Sequence, residues 1–285
     1  MEKTKKNPEK LTEMNGYRNG YIISREAKPQ NRVCVGVPMT GVIRSEWMMA
    51  RYGQVIPCNW SQVDIIQWID QWSPMQFQVA DARNIIASDA VKKDYEWLVF
   101  IDHDVCLPPL FLVQINEHML KGNVPIFGGL YWTKSIPSEP LVYRGRGNSY
   151  YKDWKFGDKI WVDGLGMGAT VIHVSILKAL YKESEPYPGN FANRDYVRRI
   201  YAQPVRTWYD PQEKEFHTAV GTEDLEFLSR IMKDGIFKKA GWPEYEKKQF
   251  PYMVDTGIYC RHIDWEGIQY PTAGEDGAFI PKKKK

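Results

Sequence analysis

The run Glu96-Trp97-Leu98-Val99-Phe100-Ile101-Asp102-His103-Asp104-Val105 decides how the chain is read. Its apolar part has strand length and stops abruptly at Asp102. Pro108-Pro109 then opens a helix through Lys121, with Gly122 as its stop signal. Working outward, Arg32 to Pro38 reads as a short buried strand ended by Pro38, and Val42 to Tyr52 as a helix. A second short strand is expected around Gln54 to Cys58. Another helix is expected within Gln62 to Trp72, where Val63, Ile66 and Ile69 recur at spacing three, and a further one over Ala82 to Lys93. Strands and helices that alternate, with apolar strands, predict an α/β fold whose mostly parallel central sheet is covered on both faces.

The second half changes character. Val124 to Leu130, Leu141 to Tyr143, Lys159 to Val162 and Ala169 to Val174 read as strands joined by glycine-rich turns, followed by a helix from Ser175 to Lys182. Glu185 to Thr222 is rich in Pro, Tyr and Arg without a clear period, and reads as a long loop over a cleft. Glu223 to Lys233 is a helix with Thr222 as N-cap, and Tyr252 to Cys260 is a last strand leading into Arg261-His262. One domain over 31–270 is expected, flanked by a polar arm (1–30) and a lysine-ended tail (271–285).

The 285 residues are 43% hydrophobic and 26% charged, which excludes wholesale disorder. Net charge is +3, but Lys282 to Lys285 carry four positive charges, leaving the body at −1. A broad nucleic-acid-binding face is therefore not expected. No apolar run reaches membrane-spanning length and the N-terminus lacks a secretory pattern. Cys34, Cys58, Cys106 and Cys260 form no CxxC pair and read as thiols of a reducing compartment, which makes a cytoplasmic protein the expectation. Aromatics, at 14%, suit core packing and also the flat faces of sugar-binding clefts.

Five constellations carry chemistry. Asp102 and Asp104 stand at the carboxyl end of a strand, where open α/β sheets bind ligands, and strand alternation points both to one side. Paired carboxylates call for a cation or donor between them, and Mg²⁺ or Mn²⁺ takes oxygen ligands shared with a phosphate. Ala82-Arg83-Asn84 places a guanidinium at a helix start, suited to a diphosphate or a base carbonyl. Glu223 and Asp224 lie in the first turn of a helix, where acids favour the dipole and where a general base could sit. His262 closes a strand within a polar cluster, unlike His118 and His173, which read as packing or surface residues. Asp163 to Thr170 holds three alternate glycines, a spacing that is not a dinucleotide fingerprint.

In this order, and over roughly Val33 to Asp264, the motifs resemble those of the GT-A-fold glycosyltransferases, most of all the glycosyltransferase family 2-type group. The resemblance implies a three-layer α/β/α sandwich with a nucleotide-binding half (31–130) and an acceptor-binding half (131–270). It implies that Pro38 and Met39 border the base and that Arg83 contacts base or diphosphate. Asp102 would lie near ribose and metal, Asp104 would ligate the metal, and His262 would be the C-terminal metal ligand. Gly166 and Gly168 would line the donor–acceptor junction, with Asp224 as base and Glu223 as an acceptor-binding acid. The implied reaction moves a sugar from a nucleoside-diphosphate sugar, UDP-sugar favoured, to a saccharide or other hydroxyl acceptor with inversion, using Mn²⁺ or Mg²⁺. A nucleic-acid acceptor is a minority expectation. Two rival readings stand beside it. One is a haloacid-dehalogenase-like phosphotransferase with Asp102 as nucleophile; the other is a non-catalytic carbohydrate-binding relative.

Overall fold

The computed structural model describes residues 33–57, 60, 66–69, 78–145, 150–187 and 196–272. The polar arm, residues 273–285 of the tail and Cys58 lie outside the described residues.

A seven-stranded sheet organises the chain. Its first strand, β1 (Val33–Gly36), pairs in parallel with both β2 (Ile66–Ile69) and β3 (Trp97–Ile101). Helices α1 (Ser45–Tyr52) and α2 (Val79–Lys92) lie in the two crossovers that this parallel pairing demands. On the other side of β3 comes β9 (Ala169–His173), antiparallel to β3 and to β5 (Ile126–Leu130). Beyond β5 lie β12 (Tyr252–Tyr259), parallel to it, and β7 (Lys159–Val162), antiparallel to β12. The sheet is therefore mixed: β9 and β7 run against the other five strands.

Alternate residues of each strand enter two separate apolar clusters. Cys34, Leu98 and Phe100 face α2 together with α4 (Val174–Glu183) and α5 (Glu223–Lys233), which contribute Ile86, Leu177 and Phe227. Val35, Val99 and Ile101 face α1 and α3 (Phe111–Lys121), which contribute Trp47, Phe111 and Ile115. Gly122 adopts φ 57° and closes α3 by donating to His118 O at 3.1 Å, as its position predicts.

Three sequence expectations need correction. Ile66–Ile69 is a strand, where spacing three pointed to a helix; four residues carry no distinguishing period, and pairing with β1 decides it. Gln54 to Pro57 forms no strand. The segment expected to be an irregular loop contains an exposed antiparallel hairpin, β10 (Val205–Asp210) and β11 (Glu215–Val220). Its Asp210 Oδ1 accepts from the N–H groups of Gln212 and Glu213 (2.7 and 3.2 Å), and Lys214 takes φ 58° in the turn.

Candidate active site

Parallel pairing aligns the carboxyl ends of β1 and β3, and β5 and β12 end at the same edge of the sheet. Because β9 runs the other way, it brings its amino end there too. The pair Ile101↔Ala169 sets Asp102 beside Gly168, and Asp102 N donates to Gly168 O at 3.0 Å. The Asp102 carbonyl accepts from Trp47 Nε1 at 2.8 Å and from Val105 N at 3.1 Å, which fixes the turn between the two acids. His103 bridges this turn to the exit of β1, with Nδ1 3.2 Å from Pro38 O and Nε2 3.3 Å from Thr40 Oγ1.

Asp102 is held by a buried cation. Arg83, only 2% exposed, donates through Nη2 to Asp102 Oδ1 and Oδ2 (2.8 and 2.9 Å) and through Nη1 to Glu223 Oε1. Burial opposes charge on this guanidinium, but Asp102 and Asp224 outweigh it and raise its proton affinity above the ordinary value. The next residue is equally committed. Asn84 Nδ2 donates to Tyr201 O (2.8 Å) while its Oδ1 accepts from Tyr201 N (2.7 Å), and the Tyr201 ring stacks on Phe227 of α5 with centroids 4.3 Å apart. Arg83 and Asn84 thus tie α2 to the amino end of α5, where Glu223 is buried against Arg83 and Asp224 opens to the cleft. Thr222 makes no side-chain cap.

Asp104 has different company. A short ladder between β4 (Val105–Cys106) and β13 (Arg261–Ile263) brings His262 to it, and Ile263 N donates to Asp104 O at 2.8 Å. His262 Nδ1 donates to Trp132 O at 2.7 Å, so Nε2 is the nitrogen that faces Asp104 Oδ1, 3.5 Å away. Lys134 Nζ lies 2.5 Å from the other oxygen, Oδ2. Burial works against ionisation of Asp104, yet His262 and Lys134 hold its carboxyl well below the usual carboxylate range.

These residues line a cleft of two adjoining lobes, about 380 and 720 Å³, which share Thr40, His103 and Asp104. Eight of the predicted site residues line the smaller lobe: Pro38, Met39, Arg83, Asp102, Asp104, Glu223, Asp224 and His262. Gly166 and Gly168 are buried instead under Tyr131. A Cβ on Gly166 would lie 2.2 Å from Tyr131 Oη, and one on Gly168 would lie 3.0 Å from both that oxygen and Asp102 Oδ2. Gly168 N donates to the phenol oxygen at 2.8 Å. The glycines thus make room for an aromatic side chain. Burial, with Asp102 and Asp224 adding to it, pushes this phenol well above its ordinary value, keeping it neutral.

Asp102, Asp104 and His262 do not converge as a single ligand set, because Asp102 is turned to Arg83. Asp104 and His262 alone fit a cation: an oxygen and an imidazole nitrogen face each other, with the tautomer set by Trp132. Among the described residues, the group whose ligand atoms all lie within 4.8 Å of one another is Asp210, Glu213 and His217 on the hairpin. There His217 Nε2 pairs with Glu213 at 2.9 Å and Asp210 holds the turn. None of Arg198, Arg199 and Arg206 lines the cleft. His118 is buried against Asp255 (2.7 Å), and His173 caps α4, accepting at Nδ1 from Ser175 N.

Sequence reasoning missed Tyr131 and Lys134. Both follow the carboxyl end of β5, so the rule that singled out Asp102 after β3 points to them as well.

No family model matches the sequence, and no curated protein matches it. Among solved structures, A197 from STIV is similar at 17% identity, over 84% of this chain and 88% of that one, with a TM-score of 0.48. TarS 1–349 from S. aureus, in complex with UDP, is similar at 10% identity over 59% of this chain and 54% of that one, with a TM-score of 0.33. A longer TarS chain gives 12% identity, 78% and 35% coverage and a TM-score of 0.37. This chain therefore spans 54% and 35% of the two TarS chains it matches. These likenesses are loose, and the site's own geometry carries the functional reading. Among the described residues, no helix is long and apolar enough to cross a membrane.

Proposed function

We propose that the chain is a cation-assisted glycosyltransferase of GT-A type, moving a sugar from a nucleoside-diphosphate donor to a hydroxyl acceptor with inversion. One observation carries this reading: a single lobe of about 380 Å³ is lined by both a carboxylate–imidazole pair, Asp104 with His262, and a second carboxylate, Asp224, at a helix amino end. The first suits a leaving diphosphate and the second suits an acceptor hydroxyl. Mn²⁺ or Mg²⁺ would be held by Asp104 and His262, and would supply Lewis-acid neutralisation of the diphosphate.

The chain's own residues divide the remaining work. Asp224 accepts the proton of the attacking hydroxyl; its Oδ1 accepts from Leu225 N at 2.8 Å, which orients it. Glu223, buried against Arg83, serves structure and leaves the role of base to Asp224. Arg83 reaches the donor through Asp102, whose carboxylate it aims, since two of its nitrogens are already committed. Pro38 and Met39 border the nucleoside. UDP is the favoured nucleotide, and a three-layer α/β/α arrangement of helices about the sheet is the form this reading expects. A phosphotransferase with Asp102 as nucleophile is disfavoured, because both oxygens of that carboxylate accept from Arg83.

The test is a thermal-shift panel of UDP, GDP, CDP and ADP, each with and without Mn²⁺, on wild type and Asp104→Ala. A ligand at 100 times its Kd adds about 2.7 kcal/mol to stability. A shift that needs one nucleotide together with Mn²⁺, and is lost in the variant, supports the reading; no shift with any nucleotide sinks it. Asp224→Asn is expected to slow sugar transfer to water or a saccharide panel by about 10²- to 10⁴-fold while keeping the nucleotide shift. Undiminished turnover would remove Asp224 as base.

A further inference from the structure

Lys134 belongs to no motif, yet it completes the surroundings of Asp104. Its ammonium lies 2.5 Å from Oδ2, the oxygen opposite the one that faces His262. The segment after β5 thereby serves both partners of the cation station: the Trp132 carbonyl orients the imidazole, and Lys134, two residues on, neutralises the carboxylate. The backbone around Lys134 is pinned. Thr133 N donates to Glu139 O at 2.9 Å, and Glu139 N donates to Thr133 Oγ1 at 3.0 Å. The four-carbon stem itself is only half-buried and lines the larger lobe, about 720 Å³, so the side chain has space to swing while its backbone stays fixed. Arg44, also on that lobe, is occupied: it donates to Glu46 at 2.8 Å and to Trp265 O at 2.8 Å.

We infer that Lys134 is an internal counter-cation for Asp104, displaced by the incoming divalent ion and then available to the donor's diphosphate. The inference rests on the reading of Asp104 and His262 as the cation station. Before loading, the ammonium satisfies a carboxylate that would otherwise face an imidazole with no cation between them. A dication held by Asp104 and His262 would make the ammonium a like charge at close range, and a diphosphate in the adjoining lobe would give it a new partner. Cation and nucleotide then bind with positive coupling, because each removes part of what opposes the other.

The experiment is a Mn²⁺ titration of the full chain, followed by calorimetry and by the electron paramagnetic resonance signal of free Mn²⁺, with and without UDP. Wild type, Lys134→Met, Lys134→Arg and Asp104→Asn are compared. Lys134→Met is expected to bind Mn²⁺ without UDP about tenfold more tightly than wild type, and to lose most of the enhancement that UDP gives wild type. Lys134→Arg keeps the wild-type pattern, and Asp104→Asn loses Mn²⁺ binding. If wild type binds Mn²⁺ with UDP and Lys134→Met matches it within twofold in both conditions, this inference fails while the donor reading stands. If neither protein binds Mn²⁺ even with UDP, the cation-station reading fails and takes this inference with it.

Discussion

Asp102 and Asp104 are separated by one residue and face opposite kinds of surroundings. Around Asp102 the partners are buried: Arg83 spans Asp102 and Glu223, Asn84 clamps the backbone of Tyr201, and Tyr131 fills the space above two glycines. Around Asp104 the partners are reachable from solvent, with Lys134 and His262 each on one oxygen and side chains 16 to 32% exposed. The first station ties α2 and α5 to the end of β3; under the proposed function the second holds the cation. Charge pairs deep in protein are costly to break, whereas pairs at the solvent edge contribute little to folding and can change partners at small cost.

That contrast can be broken by substitution. Arg83→Met strands the Asp102 and Glu223 carboxylates without their cation and should cost about 3–5 kcal/mol in urea unfolding; a loss below about 1 kcal/mol would show that Arg83 is not the keystone. A buried imidazole away from the cleft provides a separate pH test. Burial, with Lys178 adding to it, lowers His173 to about 4. Its folded value therefore lies below the unfolded value of about 6.5, so the unfolded chain binds the extra proton. The associated stability is fully present above about pH 6.5 and is lost as the pH falls towards 4, by roughly 3 kcal/mol. Urea midpoints measured at pH 7 and pH 5 should differ in wild type and converge in His173→Asn.

Asn84→Ala should cost about 1–3 kcal/mol by leaving the Tyr201 N–H and C=O unpaired in the core. The smallest effect sharpens the comparison most. Lys134→Met should change unfolding stability by less than about 1 kcal/mol, since it removes a half-exposed pair. A loss as large as that of Arg83→Met would make the two stations alike and undo the distinction.

Much of this was legible in the residues. The apolar run into Asp102 marks a strand end, and Gly122 and the Glu223 helix fall where their residue types predict. The acids, the arginine and His262 do share one lobe. The hairpin was less legible, because its strands are exposed and the expected contrast between buried and solvent faces is missing. Its rungs nonetheless alternate. Val205↔Val220, Thr207↔Thr218 and Tyr209↔Phe216 form an uncharged face, and Asp210-Pro211 is a readable turn signal. The strand at Ile66–Ile69 was hidden for another reason: in four residues neither a helical nor a strand period can declare itself.

What the sequence by itself determined is which side chains stand at the ends of strands and the starts of helices, because periodicity and punctuation are local. What only the tertiary structure decided is which of them meet. Arg83 lies 19 residues from Asp102 and 140 from Glu223, and Lys134 lies 30 from Asp104. Their pairing depends on parallel crossovers and on a reversed strand, β9, inserted between β3 and β5. The burial of their cationic partners then separates the two acids. The same carboxylate is tied into the fold where a guanidinium is enclosed with it, and lies near solvent where its partners are a half-exposed lysine and a histidine.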